Sequence, residues 1–490
     1  MKKKIIGSLD ENKFFPSIVA LGAGLYPLIF LYERNFTLVN SAEQLFFVLF
    51  GFLLLPVIFF NVIIWILNKI GKEQYGLFVI AALNVCTFLF LIKSILFFGL
   101  QKKMIVGIIL FSFLFALYLK TYLKYVVRLQ FILVIISLFN LFFVIKKSIN
   151  VDTSWKSQPD DIVNVNFKQR PNIYLIQPDG YVGLSELSKG YYNFDNSSFE
   201  KFLNKEGFKL YPKFRSNYYS TLTSNTSTFM MKHHYCDGII NYELLNARNN
   251  IVSDNTVLSI LKRNNYKTSL ILDDPYLLYN RPDIGFDYCN ISLEDVPYIR
   301  TSYSVKRDVF LDLKNTLQQD SSGINQFYFI ENKLPSHITT FKPQSEGKDK
   351  ERLKYLEALK QANEWLKKTI NLIEEYDNNA LIVVMADHGG FVGYDYSTQF
   401  SQKPKDRDIT YSMFSSLLAI KWPSNSSKYD SDLKTSVNVF RVLFSYLSEN
   451  KGFLDHLQND NSYLFVDENA KKGVYAVVNE NDQLTFDKVD

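Results

Sequence analysis

The sequence predicts an N-terminal α-helical transmembrane domain of about five spans and a C-terminal α/β domain whose mostly parallel central sheet is covered by helices. Three observations carry this prediction. Residues 1–150 are dominated by Phe, Leu, Ile and Val while 151–490 have ordinary globular composition, so a mean hydropathy near zero hides two unlike halves. In the second half, amphipathic helical periodicity alternates with short runs that are apolar throughout. Two of those runs end in potential ligands, at Asp179 and at Asp387-His388. The chain of 490 residues has room for two or three domains. The expected boundaries are 1–147 for the membrane domain, 148–169 for a linker and 170–490 for the soluble domain.

A bilayer core roughly 30 Å thick needs about 20 apolar helical residues. Phe14–Tyr32, Phe46–Leu67, Gly76–Ile92, Met104–Leu119 and Val127–Ile145 approach that length. No small-residue cleavage site follows the first, so it reads as a span rather than a removable signal. With the N-terminus inside, Lys2–Lys4, Lys69, Lys72, Lys120, Lys124 and Arg128 face the cytoplasm, while Arg34, Lys93, Lys102, Lys103, Lys146 and Lys147 face outward. An odd number of spans then places the soluble half outside the cytoplasmic membrane. No span carries an internal Asp or Glu, which favours an anchor or lipid platform over an ion pathway. The stretch from Lys147 to about Gln169 is polar and aperiodic, as a linker is.

In the soluble half, "PNIYLIQPDGYVG" (Pro171–Gly183) is a buried strand that delivers Asp179 to a loop. "DNSSFEKFLNKEGF" follows as a helix capped by Asn or Ser and closed by Gly207. "NTVLSILKRNNYKTSLILDDP" repeats helix then strand and ends at Asp273-Asp274. Leu353, Leu356, Leu359, Leu366, Ile370 and Ile373 mark the inner face of a long helix that leads into the strand "NNALIVVMADHGG". "FSSLLAIKWP" gives one more strand. Such alternation implies a parallel sheet covered on both faces, with ligands bound beyond the C-terminal strand ends.

Asp and neutral His offer oxygen and nitrogen ligands for Zn, Mn or Mg. Adjacent Asp387 and His388 can both ligate only where the chain leaves the strand, and Gly389-Gly390 permits that turn; otherwise the pair simply caps a turn. Seven of the nine residues from Ser220 to Thr228 carry a hydroxyl. Near a bound cation, one of them becomes a nucleophile; alternatively one hydroxyl caps a helix, or Asn225-Thr226-Ser227 is a glycosylation triplet. The small net charge of +5 gives no reason to expect nucleic acid.

Taken in order, "NIYLIQPDGY", "SNYYSTLTSNTS", "NKLPSHITTF", "VVMADHGG" and "VNVFRVLF" resemble the sulfatase-like branch of the alkaline phosphatase superfamily. The resemblance spans about Pro171 to Leu464 and is nearest to membrane-anchored members such as lipoteichoic acid synthases and phosphoethanolamine transferases. It implies Thr221 as nucleophile, supported by Ser224 and Ser227, and one divalent metal ion held by Asp179, Thr221, Asp387 and His388. It also implies His337 beside the substrate phosphate and leaving group. No Cys stands in the nucleophile frame, which argues against a formylglycine sulfatase. The Pro common soon after the nucleophile is absent. The additional His and Asp ligands of two-zinc phosphatases are also missing, so one metal fits better.

The expected activity is transfer of a phospholipid head group, of phosphoethanolamine or phosphoglycerol type, to a surface glycan or lipid at a bacterial cytoplasmic membrane. Ester hydrolysis and a non-catalytic envelope assembly role are the alternatives. His233 and His234 are candidates to line the site, with Ser224. Asp273, Asp274, Lys403, Lys405 and Arg407 are weaker candidates, His456 reads as surface, and Cys86 reads as packing. Cys236 and Cys289 could pair in an oxidising compartment.

Overall fold

The computed structural model describes residues 15–489 apart from 98, 300–304 and 320–322. Lys2–Lys4 and Phe14, which figure in the expected topology, lie outside the described residues. Among those described, four continuous helical stretches are long and apolar enough to cross a membrane. They comprise α1 (Pro16–Arg34), α2 (Ala42–Lys69), α3 (Gly76–Leu96) and a 55-residue stretch, Lys102–Lys156. A 3₁₀ turn at Lys120–Tyr122 divides the last into α4 (Lys102–Leu119) and α5 (Leu123–Ile149). Contacts fix their directions. Phe113 of α4 packs on Phe78 of α3 with ring centroids 5.6 Å apart, so α4 returns antiparallel to α3. Gly22 near the start of α1 meets Val127 and Gln130 near the start of α5, so these two run parallel. The four stretches therefore comprise five helical segments, close to the number the hydropathy suggests.

Inside the bundle, Asn84 and Gln130 exchange hydrogen bonds at 3.0 Å, and Asn84 also donates to the Val19 carbonyl at 2.8 Å. In a hydrocarbon environment such polar side chains need partners, and here they bind one helix to another.

The soluble half centres on a seven-stranded sheet. Its strands are β1 (Ile173–Pro178), β2 (Lys209–Leu210), β5 (Lys267–Leu272), β6 (Tyr288–Cys289), β7 (Gln326–Asn332), β8 (Leu381–Met385) and β9 (Leu418–Lys421). The hairpin strands β3 (Ile239–Ile240) and β4 (Glu243–Leu244) stand apart, as does a C-terminal antiparallel sheet of β10 (Ser462–Val466), β11 (Gly473–Val478) and β12 (Leu484–Val489). The main order is β2-β9-β8-β1-β7-β5-β6, parallel from β8 to β6, with β9 and β2 joining antiparallel pairs. Strands β1, β7 and β8 are buried along their whole length because helices cover both faces. Tyr174 and Tyr328, opposite one another on β1 and β7, stack at 4.8 Å. This aromatic contact adds to the six paired positions that join the two strands.

The flanking helices include α6 (Ser197–Lys205), α7 (Thr221–Met230), α8 (Thr256–Arg263), α9 (Val309–Gln319), α10 (Lys348–Tyr376), α11 (Arg407–Phe414) and α12 (Val439–Ser448). On α10, Leu356, Leu359, Leu366, Ile370 and Ile373 are buried as the periodicity predicts, but Leu353 is 61% exposed because the helix overhangs the sheet there. Residues 150–169 hold only two short 3₁₀ turns, Ser154–Lys156 and Asp161–Asn164, yet lie along the soluble domain. Ile162, Val165 and Phe167 are buried in its core, and Asp160 pairs with buried Arg441 at 2.7 Å.

The two halves also meet directly. Thr37 donates to Glu243 at 2.8 Å, Arg281 pairs with Glu43 at 2.7 Å, and Phe47 stacks on Tyr298 at 5.0 Å.

Candidate active site at the strand ends

Because β8, β1 and β7 are adjacent and parallel, their C-terminal ends open onto one edge of the sheet. β1 delivers Asp179 there, β8 delivers Asp387 and His388, and β7 leads through Lys333 to His337. The chain leaves β8 with the Gly389 N–H donating to the Met413 carbonyl at 2.8 Å. This departure from the strand brings Asp387 and His388 to the same point, as joint ligation requires.

The hydroxyl run forms α7, whose first turn faces this point. Ser220 is the helix cap and accepts from the Thr223 N–H. Thr223 turns its own hydroxyl back to Ser220 at 2.8 Å, and Ser224 donates to the Asp387 carbonyl at 2.6 Å. Ser227 and Thr228 both donate to the Ser224 carbonyl, and Thr226 to the Ala247 carbonyl. Capping and nucleophile readings thus fall on different residues of one run. Asn225 is buried in the helix, so its glycosylation triplet is closed in the folded chain.

Thr221 is the exception among these hydroxyls. Its Oγ1 lies 3.4 Å from both Asp179 Oδ1 and His388 Nε2. His388 Nε2 is in turn 3.5 Å from Asp179 Oδ1 and 3.4 Å from Asp387 Oδ2. The ligand atoms of Asp179, Asp387 and His388 all fall within 4.8 Å of one another.

This donor set fits a divalent cation on two grounds. Asp387 Oδ2 is buried without a hydrogen-bond partner, a costly state for a carboxylate oxygen unless a cation meets it. His388 Nδ1 lies 2.8 Å from the Gly389 carbonyl, which assigns the proton to Nδ1 and turns the Nε2 lone pair toward the carboxylates. Burial, then the charge of Asp387, holds the Asp179 carboxyl above its ordinary range. Burial opposes a charged His388, but Asp387 and Asp179 outweigh it and leave the imidazole above its usual value. The cluster has excess negative charge that a metal would neutralise.

His337 lines the same cavity. Its Nδ1 lies 2.5 Å from the Ile338 carbonyl, so Nε2 is the free ring nitrogen, and its ring centroid is 5.9 Å from that of His388. Burial, then His388, keeps it below the ordinary histidine value, hence neutral. The cavity has a volume of about 600 Å³, with Tyr219, Tyr276, Phe341 and Phe400 among its walls and Glu243 and Glu468 at its sides.

Two residues of this region escaped the sequence reading. Lys333 pairs with Asp274 at 3.0 Å and lies 4.2 Å from the Tyr276 ring centroid. Burial opposes its charge, but Asp274, Glu331 and Asp179 raise its pKa, so a fixed cation stands behind the site. Glu331 is wholly buried with both carboxylate oxygens unpartnered, and burial pushes its pKa well upward. Each is a charged residue at the end of an otherwise apolar strand, the signal that did mark Asp179.

Other candidates lie elsewhere. His233 and His234 do not line the cavity. His233 Nε2 binds the Asn459 carbonyl at 2.8 Å, and His234 Nε2 binds the Thr223 carbonyl at 2.9 Å while its ring stacks on Tyr218 at 4.0 Å. His234 thus braces the first turn of α7 from behind, while His233 links Tyr218 to the Asn459 loop. Ser224 likewise ties α7 to the Asp387 loop rather than facing the cavity. Asp273 and Asp274 are engaged by Lys306, with Lys333 also on Asp274. Arg407 pairs with Glu186 and Asp408, and Lys403 lies over Phe486. Cys236 and Cys289 are unbonded.

The buried histidines make the fold acid-sensitive. Burial depresses His233 to about 4 and His234 to about 3, against an ordinary value of 6.5. Groups with depressed folded values contribute stability that is complete above 6.5 and is lost as pH falls toward 4. At pH 5 the expected loss is about 2 kcal/mol per histidine. Melting temperature followed from pH 7.5 to 5 should fall, and the His233→Gln/His234→Gln double variant should show a much flatter slope.

No family model matches the sequence, and no curated protein matches it. Solved structures align with it at low identity. The C-terminal periplasmic domain of EcEptC from Escherichia coli, in complex with Zn, is 11% identical with a TM-score of 0.43, covering 65% of this chain and 96% of that one. The integral membrane protein lipooligosaccharide phosphoethanolamine transferase A (EptA) from Neisseria meningitidis is 12% identical with a TM-score of 0.41, covering 88% and 95%. BT4656, in complex with its substrate D-glucosamine-2-N,6-O-disulfate, is 12% identical with a TM-score of 0.37, covering 63% and 87%. At such scores the function has to rest on the chain's own residues.

Proposed function

We propose that this chain is a membrane-anchored, metal-dependent phosphotransferase. It moves a phospholipid head group, of phosphoethanolamine or phosphoglycerol type, to a cell-surface glycan or lipid through a phospho-threonine intermediate. The observation that carries the reading is the placement of Thr221 Oγ1, 3.4 Å from both an acidic and an imidazole ligand atom at the start of a helix. Asp179, Thr221, Asp387 and His388 would hold one divalent ion (Zn, Mn or Mg). When bound, such an ion supplies Lewis acidity, favouring the ionised hydroxyl and offsetting phosphoryl charge.

The remaining work falls to the chain. Thr221 Oγ1 attacks phosphorus, a new P–O bond forms, and the bond to the diacylglycerol oxygen breaks. His337 Nε2 takes up the Thr221 proton and passes it to the departing alkoxide. In the second half His337 takes the proton of the acceptor hydroxyl, whose oxygen bonds to the same phosphorus as the P–O bond to Thr221 breaks, and His337 passes that proton to the departing Thr221 Oγ1. The free N–H groups at the start of α7 favour the anionic phosphoryl group throughout. With five passes and the N-terminus inside, this chemistry would lie on the outer side of a bacterial cytoplasmic membrane, where a lipid donor is within reach.

The test is mass spectrometry of the full-length protein quenched after incubation with phosphatidylethanolamine or phosphatidylglycerol. The expected result is an adduct on the Thr221 peptide whose mass names the transferred group, absent from Thr221→Ala. Wild-type protein that carries a bound divalent ion yet forms no adduct with either lipid sinks the proposal.

A further inference from the structure

A second cavity, of about 310 Å³, lies where the last membrane helix reaches the soluble domain. Phe143, Val144 and Lys147 of α5 form one side of it. The β3–β4 hairpin, Phe465 and Lys472 form the rest, together with Asp467. Asn241 and Tyr242 of that hairpin belong also to the wall of the catalytic cavity, so the two spaces share a partition.

Its charges call for an anion. Lys147 and Lys472 face the same space, and neither forms a salt bridge among the described residues. Lys147 spends one of its three donors on the Ile239 carbonyl, which fixes its ammonium at the cavity and leaves two donors free. Lys472 lies 5.6 Å from the Phe465 ring centroid. Two ammonium groups held in one partly enclosed space repel each other, a cost that a bound phosphate removes. The single carboxylate present, Asp467, has one buried oxygen without a partner and leaves the lining with a net positive charge.

The apolar lining names the kind of anion. Phe139, Phe142 and Phe143 are exposed on the same end of α5, just before Lys147, on a helix apolar and long enough to cross a membrane. A lysine at the end of α5 and a second just before β11, with exposed apolar side chains below them, match a phospholipid with its phosphate at the surface and its chains in the bilayer. A free anion would leave that apolar surface unused.

From the paired lysines, the shared partition and the exposed phenylalanines, we propose that this cavity is a phospholipid site, in which Lys147 and Lys472 hold the lipid phosphate and Phe143 and Val144 meet its glycerol and upper acyl chains. Asp467 is placed to receive a head-group hydroxyl or ammonium hydrogen. The site stands apart from Thr221 and does not depend on the transfer reaction.

Binding is measured on the full-length chain carrying Thr221→Ala, so that no lipid is consumed, in a mild detergent and by native mass spectrometry. Phosphatidylglycerol, phosphatidylethanolamine and diacylglycerol are compared, with inorganic phosphate as competitor. The proposal expects both phospholipids to be retained well above diacylglycerol, with retention falling about tenfold or more in Lys147→Gln/Lys472→Gln. Lys147→Arg/Lys472→Arg should restore it. If the double Gln chain does not fold, Lys472→Gln alone decides, since its side chain makes no hydrogen bond among the described residues. Equal retention in the Gln variants, equal retention of diacylglycerol, or full displacement by inorganic phosphate overturns the site.

Discussion

Asp387→Asn should lower transfer activity about a thousandfold or more, while raising the melting temperature of the metal-free protein. The two effects have one cause. Asn keeps the shape of Asp and an oxygen able to accept from the Gly180 N–H, which Asp387 Oδ1 does at 3.2 Å in the native chain. It removes the negative charge of the other oxygen, which is buried, unpartnered and close to Asp179. Without metal, two buried carboxylates oppose each other, and the neutral amide relieves that by about 1 kcal/mol or more, a few degrees in melting temperature. With metal, the order reverses, because a bound ligand stabilises the native chain in proportion to its affinity and the Asn variant has lost a charged ligand. Melting curves with chelator and with excess Zn, run beside activity, check both halves. A metal-free Asn variant less stable than the metal-free wild type would mean that Asp387 has a structural partner, and the metal assignment would fail with it.

The strand ends were legible because their signal is local. Asp179 and Asp387-His388 each follow an apolar run, and a parallel sheet exposes such ends together whatever the loops do. The choice among hydroxyls was not local. Thr221 and Thr223 differ by two residues, which on a helix turns them to nearly opposite sides, and only the sheet decides which side is the site. His233 and His234 misled for a related reason. The chain doubles back after α7, so the pair does return to the start of the helix, but on the Tyr218 and Thr223 side of it rather than the Thr221 side. Lys333 and Glu331 stayed hidden because their influence is electrostatic and crosses strands distant in sequence. Ile162, Val165 and Phe167 are too widely and irregularly spaced to show a period, so the polar stretch around them read as a free linker.

Gly180→Ala should reduce activity by about a hundredfold while leaving the metal bound. Gly180 follows the ligand Asp179 and adopts φ +68, a region that side chains with a Cβ occupy poorly. A Cβ there would sit 2.5 Å from the Ser336 carbonyl oxygen and 3.1 Å from the His337 nitrogen, both backbone atoms that cannot swing aside. The Ser336 N–H donates to the Asp179 carbonyl at 2.8 Å, so the His337 loop and the Asp179 loop are tied at this point. Relief of the clash must push the His337 loop outward, since Asp179 is anchored by the Asn332 carbonyl and by the sheet. A shift of about 1 Å in a catalytic group costs on the order of a hundredfold, and it falls on His337 rather than on Asp387 or His388. Metal content close to wild type, with a large fall in turnover and a small change in donor affinity, is the expected pattern. Loss of metal along with activity would instead place the strain on Asp179, and the separation of roles between the two loops would not hold.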